Sequence, residues 1–425
     1  MTWLQRHRIR HFLTNSIWIL PSLGMVAAIA AVRMTHRLDE AMGLKSQFSP
    51  DGMRTLLGTL AGAIFTIVVF VCSALLIAVQ LASASLTPRI ITFVFRDRIT
   101  KYSLALFVFI FTFSLAVLIR VDESAPKISS EVAVYGFMVS LVVFLFLIDH
   151  VGKSLRPNGC LRTVARLGRH VIEDVYPRHL DQSDTNAAVQ FASIPRDGPC
   201  RTIANDRDGM VLALDVQGLR ALAERADCVI ELVPQVGDFV AVGDPLFRVF
   251  GVRPDPSAGA LTRSVAIGQE RTPEQDPTFA FRILVDVASK ALSPAINDPT
   301  TAVLAIDQIH HLLRNVGGRS LEDERVRDAT GRLRLVYRTP DWADFVKLAV
   351  TEIRQFGDES VQIARRLRAM LENLLHALPK GRAPLLQQEL DLIRRSVEKA
   401  FPEPEDRALA GVSDMQGVGG KRSDG

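Results

Sequence analysis

Only four cysteines occur among 425 residues (Cys72, Cys160, Cys200 and Cys228), and no two lie close in sequence. Cys72 falls in an apolar run and the others in a polar region, so no disulfide is expected. The nine histidines show no metal-ligand spacing. His310 and His311 are adjacent and point to different faces of a helix. No Ser–His–Asp order, phosphate loop or metalloprotease helix is present, which removes the usual signatures of catalysis. The net charge of +4 comes with no recognisable nucleic-acid module, so nucleic acid is not expected as a partner. No cofactor is indicated. The most telling absence is of charge: the 34 residues from Thr55 to Pro88 carry none, between Arg54 and Arg89.

As a helix that run would be about 51 Å long, well beyond a hydrocarbon core of about 30 Å. Three further uncharged runs cover Phe12–Val32, Tyr102–Ile119 and Val132–Ile148, with 21, 18 and 17 residues. Each reaches or approaches the length of a span, and flanking Lys101 and Arg120 can extend their charges toward headgroups. Trp3 and Trp18 sit near the first run, where amphipathic rings favour the interface. A signal peptide is the alternative for Phe12–Val32, but the run is long for one and contains Trp18 and Pro21. Four transmembrane helices are expected, with the lipid bilayer as their surroundings.

Lys and Arg beside the spans set orientation. With the N-terminus inside, Arg6, Arg8, Arg10, Arg89, Arg96, Arg98, Lys101, Lys153, Arg156, Arg162, Arg166 and Arg169 face the cytoplasm, twelve in all. Arg33, Arg37, Lys45, Arg54, Arg120 and Lys127, six residues, face outward. Both termini are therefore expected in the cytoplasm.

The interiors of the spans lack the ionisable residues that mark proton relays and coupled transport. The long run offers instead Thr59, Thr66, Ser73 and Gln80, spaced by seven and so on one helical face. Two readings stand: a wet pore face, or small residues packed between helices of one bundle, with Gly58 and Gly62 allowing close approach. Pro88 should end this helix near Thr87. Ile90–Phe95, followed by Arg96 and Arg98, reads as a short amphipathic elbow.

The remainder reads as a cytoplasmic α+β region. The expected division is a transmembrane domain 1–150, a helical linker 151–201, a β-rich subdomain 202–250, a mainly helical domain 266–401 and a disordered tail 402–425. Gly209–Asp215, Cys228–Val233, Phe239–Val242 and Leu246–Phe250 read as strands, with turns at Gly237-Asp238 and Gly243-Asp244. This pattern resembles the small barrel-like sandwich of lipoyl and biotinyl domains and of adaptor proteins. No lysine occurs between Lys153 and Lys290, so a swinging arm is not supported and an assembly or docking role is favoured.

Asp276-Pro277 and Asp298-Pro299 both read as helix starts, Asp capping and Pro in the first turn. The expected helices are 277–292 and 299–314, joined by Ser293–Asn297. Glu270, Arg271, Asp276, Asp286, Asn297 and Asp298 are the candidate ligand residues. In one reading the aspartates only cap helices and Glu270 pairs with Arg271. In the other, the two caps and Arg271 surround a cation or small anionic ligand at a subunit contact, joined by Asp286 if the fold turns it inward; a small ion or cytoplasmic ligand is thus a candidate partner. Arg332–Val336 reads as a strand. A helix capped by Asp341, helix continuing in some form over Ser360–Ala377, and another over Ala383–Phe401 supply the apolar faces of a core.

Four stretches resemble one family: QLASASLTP (Gln80–Pro88), PQVGDFVAVGDP (Pro234–Pro245), GQERTPEQD (Gly268–Asp276) and DVASKALSPAINDPTTA (Asp286–Ala302). Together they are similar to the predicted membrane proteins known as domain of unknown function 2254. Gln235 and Val236 separate Pro234 from Gly237, where the family more often places Pro-Gly directly before Asp. The resemblance implies a bacterial inner-membrane location and supplies no reaction or cofactor. The favoured expectation is a homo-oligomeric channel with a cytoplasmic assembly or regulatory domain. The alternative is a membrane-anchored structural or sensory protein that binds a ligand or partner through that domain. An enzyme would have only Glu270, Asp286 and Asp298 to draw on.

Overall fold

The computed structural model describes residues 2–42, 49–90, 97–121, 126–154, 156–180, 199–251, 256–321 and 324–417. The chain forms two compact units, Arg10–Cys160 and Leu161–Gly425, the latter joined by Met1–Ile9.

The first unit is built on four helices long and apolar enough to cross a membrane: α2 (Ile19–Met42), α3 (Pro50–Ser85), α4 (Arg98–Leu118) and α5 (Lys127–Ser154). The first apolar run does not form one helix as expected. α1 (Trp3–Asn15) stops before it is complete, and α2 begins at Ile19 and continues ten residues past Val32, to Met42. Pro21 accounts for the restart: it lies in the first turn of α2, where its missing N–H is not needed. Ser49 caps α3, accepting from the Gly52 N–H, and Pro50 occupies the first turn. At the other end the helix stops at Ser85 and Pro88 opens a 3-10 turn, two residues from the expected end. Most of the expected elbow Ile90–Phe95 lies outside the described residues.

Helix α4 is the centre of this unit and packs against α2, α3 and α5. Its Phe107, Ile110, Phe113 and Val117 are buried. Gly24 lets α2 approach: a β-carbon there would lie 2.7 Å from the Ala105 carbonyl oxygen.

The second unit begins with α6 (Pro157–Val175), whose Val164, Ala165, Val171 and Ile172 are buried. The strands β1 (Cys200–Ala204), β2 (Gly209–Leu214), β3 (Val229–Leu232), β4 (Phe239–Val240), β5 (Pro245–Phe250) and β6 (Val265–Gly268) follow. Between them lie α7 (Val216–Arg225) and α8 (Ala258–Thr262), and β7 (Glu324–Arg327) and β8 (Leu333–Tyr337) come later. They make two open sheets, β1-β5-β3-β8-β7 and β4-β2-β6.

The barrel-like expectation for 202–250 is therefore corrected: no sheet among the described residues closes into a barrel. The reason is long-range pairing. β3 takes β8 as a parallel neighbour, and β2 takes β6, so strands outside 202–250 complete both sheets. The sheets share one core that includes Val211, Leu232, Val240, Phe247, Val265 and Leu335.

Helices α9 (Pro277–Ala291), α10 (Pro299–Gly317), α11 (Trp342–Phe356), α12 (Val361–Ala377) and α13 (Ala383–Ala400) form the helical part. Phe281 and Phe345 are buried in contact at 5.3 Å between ring centres, and Tyr176 meets Phe345 edge-on. Gly168 brings α6 against α9 and α10, since a β-carbon there would lie 2.5 Å from that of Ala280 and 3.4 Å from Leu312 Cδ1. The stretch expected as a tail from residue 402 instead carries α14 (Pro404–Ala410), and Ala410 and Asp414 are buried. Hydrogen bonds from α12 hold the segment that follows, which composition alone does not reveal.

Candidate functional site

Two places combine the residues singled out from sequence. The first is the polar stripe of α3. Its apolar positions Leu57, Ile64, Val71 and Leu75 are buried, and they fall on the side that packs on α4. Thr59, Thr66, Ser73 and Gln80 are all exposed, and a β-carbon at Gly58 or Gly62 would meet nothing within 4 Å. Among the described residues, this stripe does not pack against another helix of its own unit. Thr59 and Thr66 donate their hydroxyls to the carbonyls of Thr55 and Gly62, at 2.8 and 3.0 Å, which softens the cost of an apolar setting.

The second place is the loop between β6 and α9. Gln275 holds it to the sheet by acting as a strand partner: its side chain accepts from the Leu214 N–H at 2.9 Å and donates to the Leu214 carbonyl at 3.3 Å. Asp276 is 2% exposed and caps α9, accepting from the backbone N–H of Thr278 and Phe279 at 3.0 and 3.1 Å. Its other oxygen takes the Arg271 Nε–H, and Arg271 Nη2 donates to Thr278 Oγ1 at 2.7 Å. Thr272 Oγ1 is buried without a hydrogen-bond partner among the described residues.

The turn after β3 closes over this pair. Gly237 has φ +95°, the left-handed region that favours glycine. A β-carbon there would lie 2.5 Å from Arg271 Nη2 and 2.8 Å from Asp276 Oδ2. The structure therefore brings PQVGD and GQERTPEQD together, a contact no spacing argument provides. Gly237→Val is expected to destabilise the second unit by about 2 kcal/mol through strain and the clash with Arg271. In an Arg271→Ala background the cost should shrink, because only the strain remains. Chemical unfolding of the two single variants and the double variant checks this.

The other candidates lie elsewhere. Arg271 pairs with Asp276 and not with the neighbouring Glu270, which is exposed. Asp298 caps α10, accepting from the Thr301 N–H at 3.0 Å and its hydroxyl at 2.5 Å. Asn297 is exposed, with φ +49°, in the tight connection before it. The 15 residues of α9 separate Asp276 from Asp298, a rise of about 22 Å, so the two caps do not share a ligand within one chain. Asp286 does not turn toward either. It accepts from Arg282 Nε at 2.6 Å, and Arg282 also bridges to Glu352 on α11, at 2.6 Å from Nη2. That hydrogen bond holds the Glu352 carboxyl below its ordinary value and the Arg282 guanidinium above its own. This ion pair joining α9 to α11 was not foreseen from sequence. The only available signal was the Arg282-to-Asp286 spacing of four.

Both oxygens of Asp276 and of Asp298 are engaged by their own helix starts and neighbours. As it stands the arrangement fixes the start of α9 against both the sheet and the Gly237 turn. No group of three metal-ligating side chains occurs among the described residues.

Comparison with known proteins gives the same outline. The uncharacterized proteins Rv1290c of Mycobacterium tuberculosis (strain H37Rv) and Mb1321c of Mycobacterium bovis are each 25% identical to this chain. The similarity covers 95% of this chain and 80% of each relative. No solved structure matches. The family model described as "Predicted membrane protein (DUF2254)" matches residues 14–373, which include every candidate discussed above. The chain is a multi-span membrane protein with a C-terminal α+β region, and it belongs to the DUF2254 family.

Proposed function

We propose that the protein is a homo-oligomeric inner-membrane channel whose second unit assembles or regulates it from the cytoplasm. One observation carries this reading: the hydroxyl, amide and glycine face of α3 points away from its own bundle. Lipid is a poor solvent for Gln80 and offers Gly58 and Gly62 no close partner, whereas a neighbouring copy or a hydrated path suits both. The exposed Phe65, Phe70, Leu76 and Ile77 on the same helix suit lipid or a neighbour's apolar face.

The test uses cysteines introduced one at a time at Thr59, Thr66, Ser73 and Gln80 in a chain carrying Cys72→Ala and Cys200→Ala, which removes both exposed native thiols, reconstituted in nanodiscs. The expected result is disulfide-linked copies, or modification by a membrane-impermeant thiol reagent, at stripe positions and not at Leu76 or Ile77. In planar bilayers the native protein should conduct, and Gln80→Leu should lower the conductance. Silence across salts, voltage and tension, with helices packed shut in a closed dimer, would instead support a membrane-anchored sensory or structural role.

A further inference from the structure

We propose that α6 docks on the bilayer through a stripe of arginines, which takes the anionic headgroups of the leaflet in which α5 ends. The helix is sharply two-sided. Leu161, Val164, Ala165, Val171 and Ile172 are buried, and Gly168 seats that side on α9 and α10. Arg162, Arg166 and Arg169 are exposed, and their spacings of four and three residues keep them within about 60° of one another around the helix. Arg156, just before the helix, is exposed as well. None of these four pairs with a carboxylate among the described residues. The nearby acids are engaged elsewhere or lie at the far end. Asp149 takes Lys153 at 2.7 Å, and Glu173 faces His170 at 3.8 Å and Arg319 at 3.9 Å, with exposed Asp174 beside it. Like charges three and four residues apart repel, so the stripe weakens its own helix unless a negative surface meets it.

Continuity with a span selects lipid as that surface. α5 ends at Ser154 and α6 begins at Pro157, so the two ends lie at most about 11 Å apart. An anionic leaflet favours each nearby Lys or Arg by about five-fold, and the attraction dies away within a Debye length. That length is about 8 Å at physiological salt. From Pro157 to Arg169 the axis rises about 18 Å, so a helix standing off the surface would leave Arg169 out of reach. A helix lying along it brings all three arginines into the headgroup layer. The guanidinium fork suits that layer, since it donates two parallel hydrogen bonds to one phosphate. The bias of basic residues beside spans concerns only the side of the membrane. The folded helix adds that these residues form one face, opposite the face spent on the core of the second unit. The inference holds whether or not the protein conducts.

Arginine modification by phenylglyoxal, read residue by residue by mass spectrometry, tests this on the full native chain in nanodiscs. In discs of phosphatidylcholine mixed with phosphatidylglycerol, Arg162, Arg166 and Arg169 should react several-fold more slowly than in phosphatidylcholine alone. High salt should remove the difference. Arg394 and Arg395, exposed on α13, should react alike in both discs. In detergent, a chain carrying Arg162→Gln, Arg166→Gln and Arg169→Gln should retain several-fold less phosphatidylglycerol than the native chain. One carrying Arg394→Gln, Arg395→Gln and Lys399→Gln should retain as much as the native chain. The proposal fails if the stripe reacts equally in both discs, or if Arg162 is shielded and Arg169 is not. Shielding already complete in phosphatidylcholine would give the face to a protein or a second copy. Shielding by inorganic phosphate in those same discs would give it to a free anion. Either result overturns the proposal.

Discussion

Asp276→Ala should lower the stability of the second unit by about 2–4 kcal/mol, the largest loss expected from any one polar side chain there. The cap itself is worth about 0.5–2 kcal/mol, and here it satisfies two backbone N–H groups that are otherwise shut away from water. The remainder comes from Arg271, which loses its carboxylate partner. Its side chain is 30% exposed and can turn toward solvent, so this part stays well short of a fully buried unpaired charge. Asp276→Asn keeps an acceptor for the Thr278 and Phe279 N–H groups and gives up only the ion pair, so it should cost about 1 kcal/mol. A cycle with Arg271→Gln measures the coupling, read by chemical unfolding with hydrogen exchange at the start of α9 as the local probe. Asp276→Asn with native stability but abolished function would mean that the carboxylate serves a ligand and not the helix.

What sequence revealed of this region, and what it hid, follows from the range of each interaction. The Asp-Pro helix starts at 276 and 298 depend on contacts within three residues, so they were legible. The turns at Gly237 and Gly243 were legible for the same reason, and with them β3, β4 and β5. β1 (CRTIA) and β7 (ERVR) have no apolar alternation and exist because β5 and β8 supply their hydrogen bonds. Nothing within either segment marks it as a strand. The same limit explains the barrel that did not form, since β6 and β8 come from far along the chain.

Proximity in sequence is also a poor guide to distance within one chain. Asp276 and Asp298 lie close together along the chain, yet an intervening helix puts them at its opposite ends. The seven-residue period of α3 showed that Thr59, Thr66, Ser73 and Gln80 share a face. Whether that face meets its own bundle depends on where α4 packs, which period alone does not encode.

Asp39→Ala is expected to be the most damaging polar substitution in the first unit, at about 2–4 kcal/mol. Asp39 sits near the C-terminal end of α2, where a negative charge is unfavourable for its own helix. Its position makes sense from the other side. It is 5% exposed and accepts from the Ile128 N–H at 2.7 Å, the Ser129 N–H at 3.1 Å and the Ser129 hydroxyl at 2.8 Å. Thr35, one turn earlier, reaches the same hydroxyl at 2.9 Å. Two of the four unpaired N–H groups at the start of α5 are thus satisfied by a carboxylate from α2, and the positive end of α5 meets its charge. This cross-helix cap explains why α2 runs past the apolar stretch to include Arg33 and Arg37. Asp39→Asn should retain about half the stabilisation, and Ser129→Ala should cost only about 1 kcal/mol. Thermal unfolding of the full chain in detergent ranks the three variants. Asp39→Ala unfolding at the native midpoint would show that water or lipid headgroups serve the α5 terminus equally well, leaving the length of α2 to be set by its charged residues at the interface.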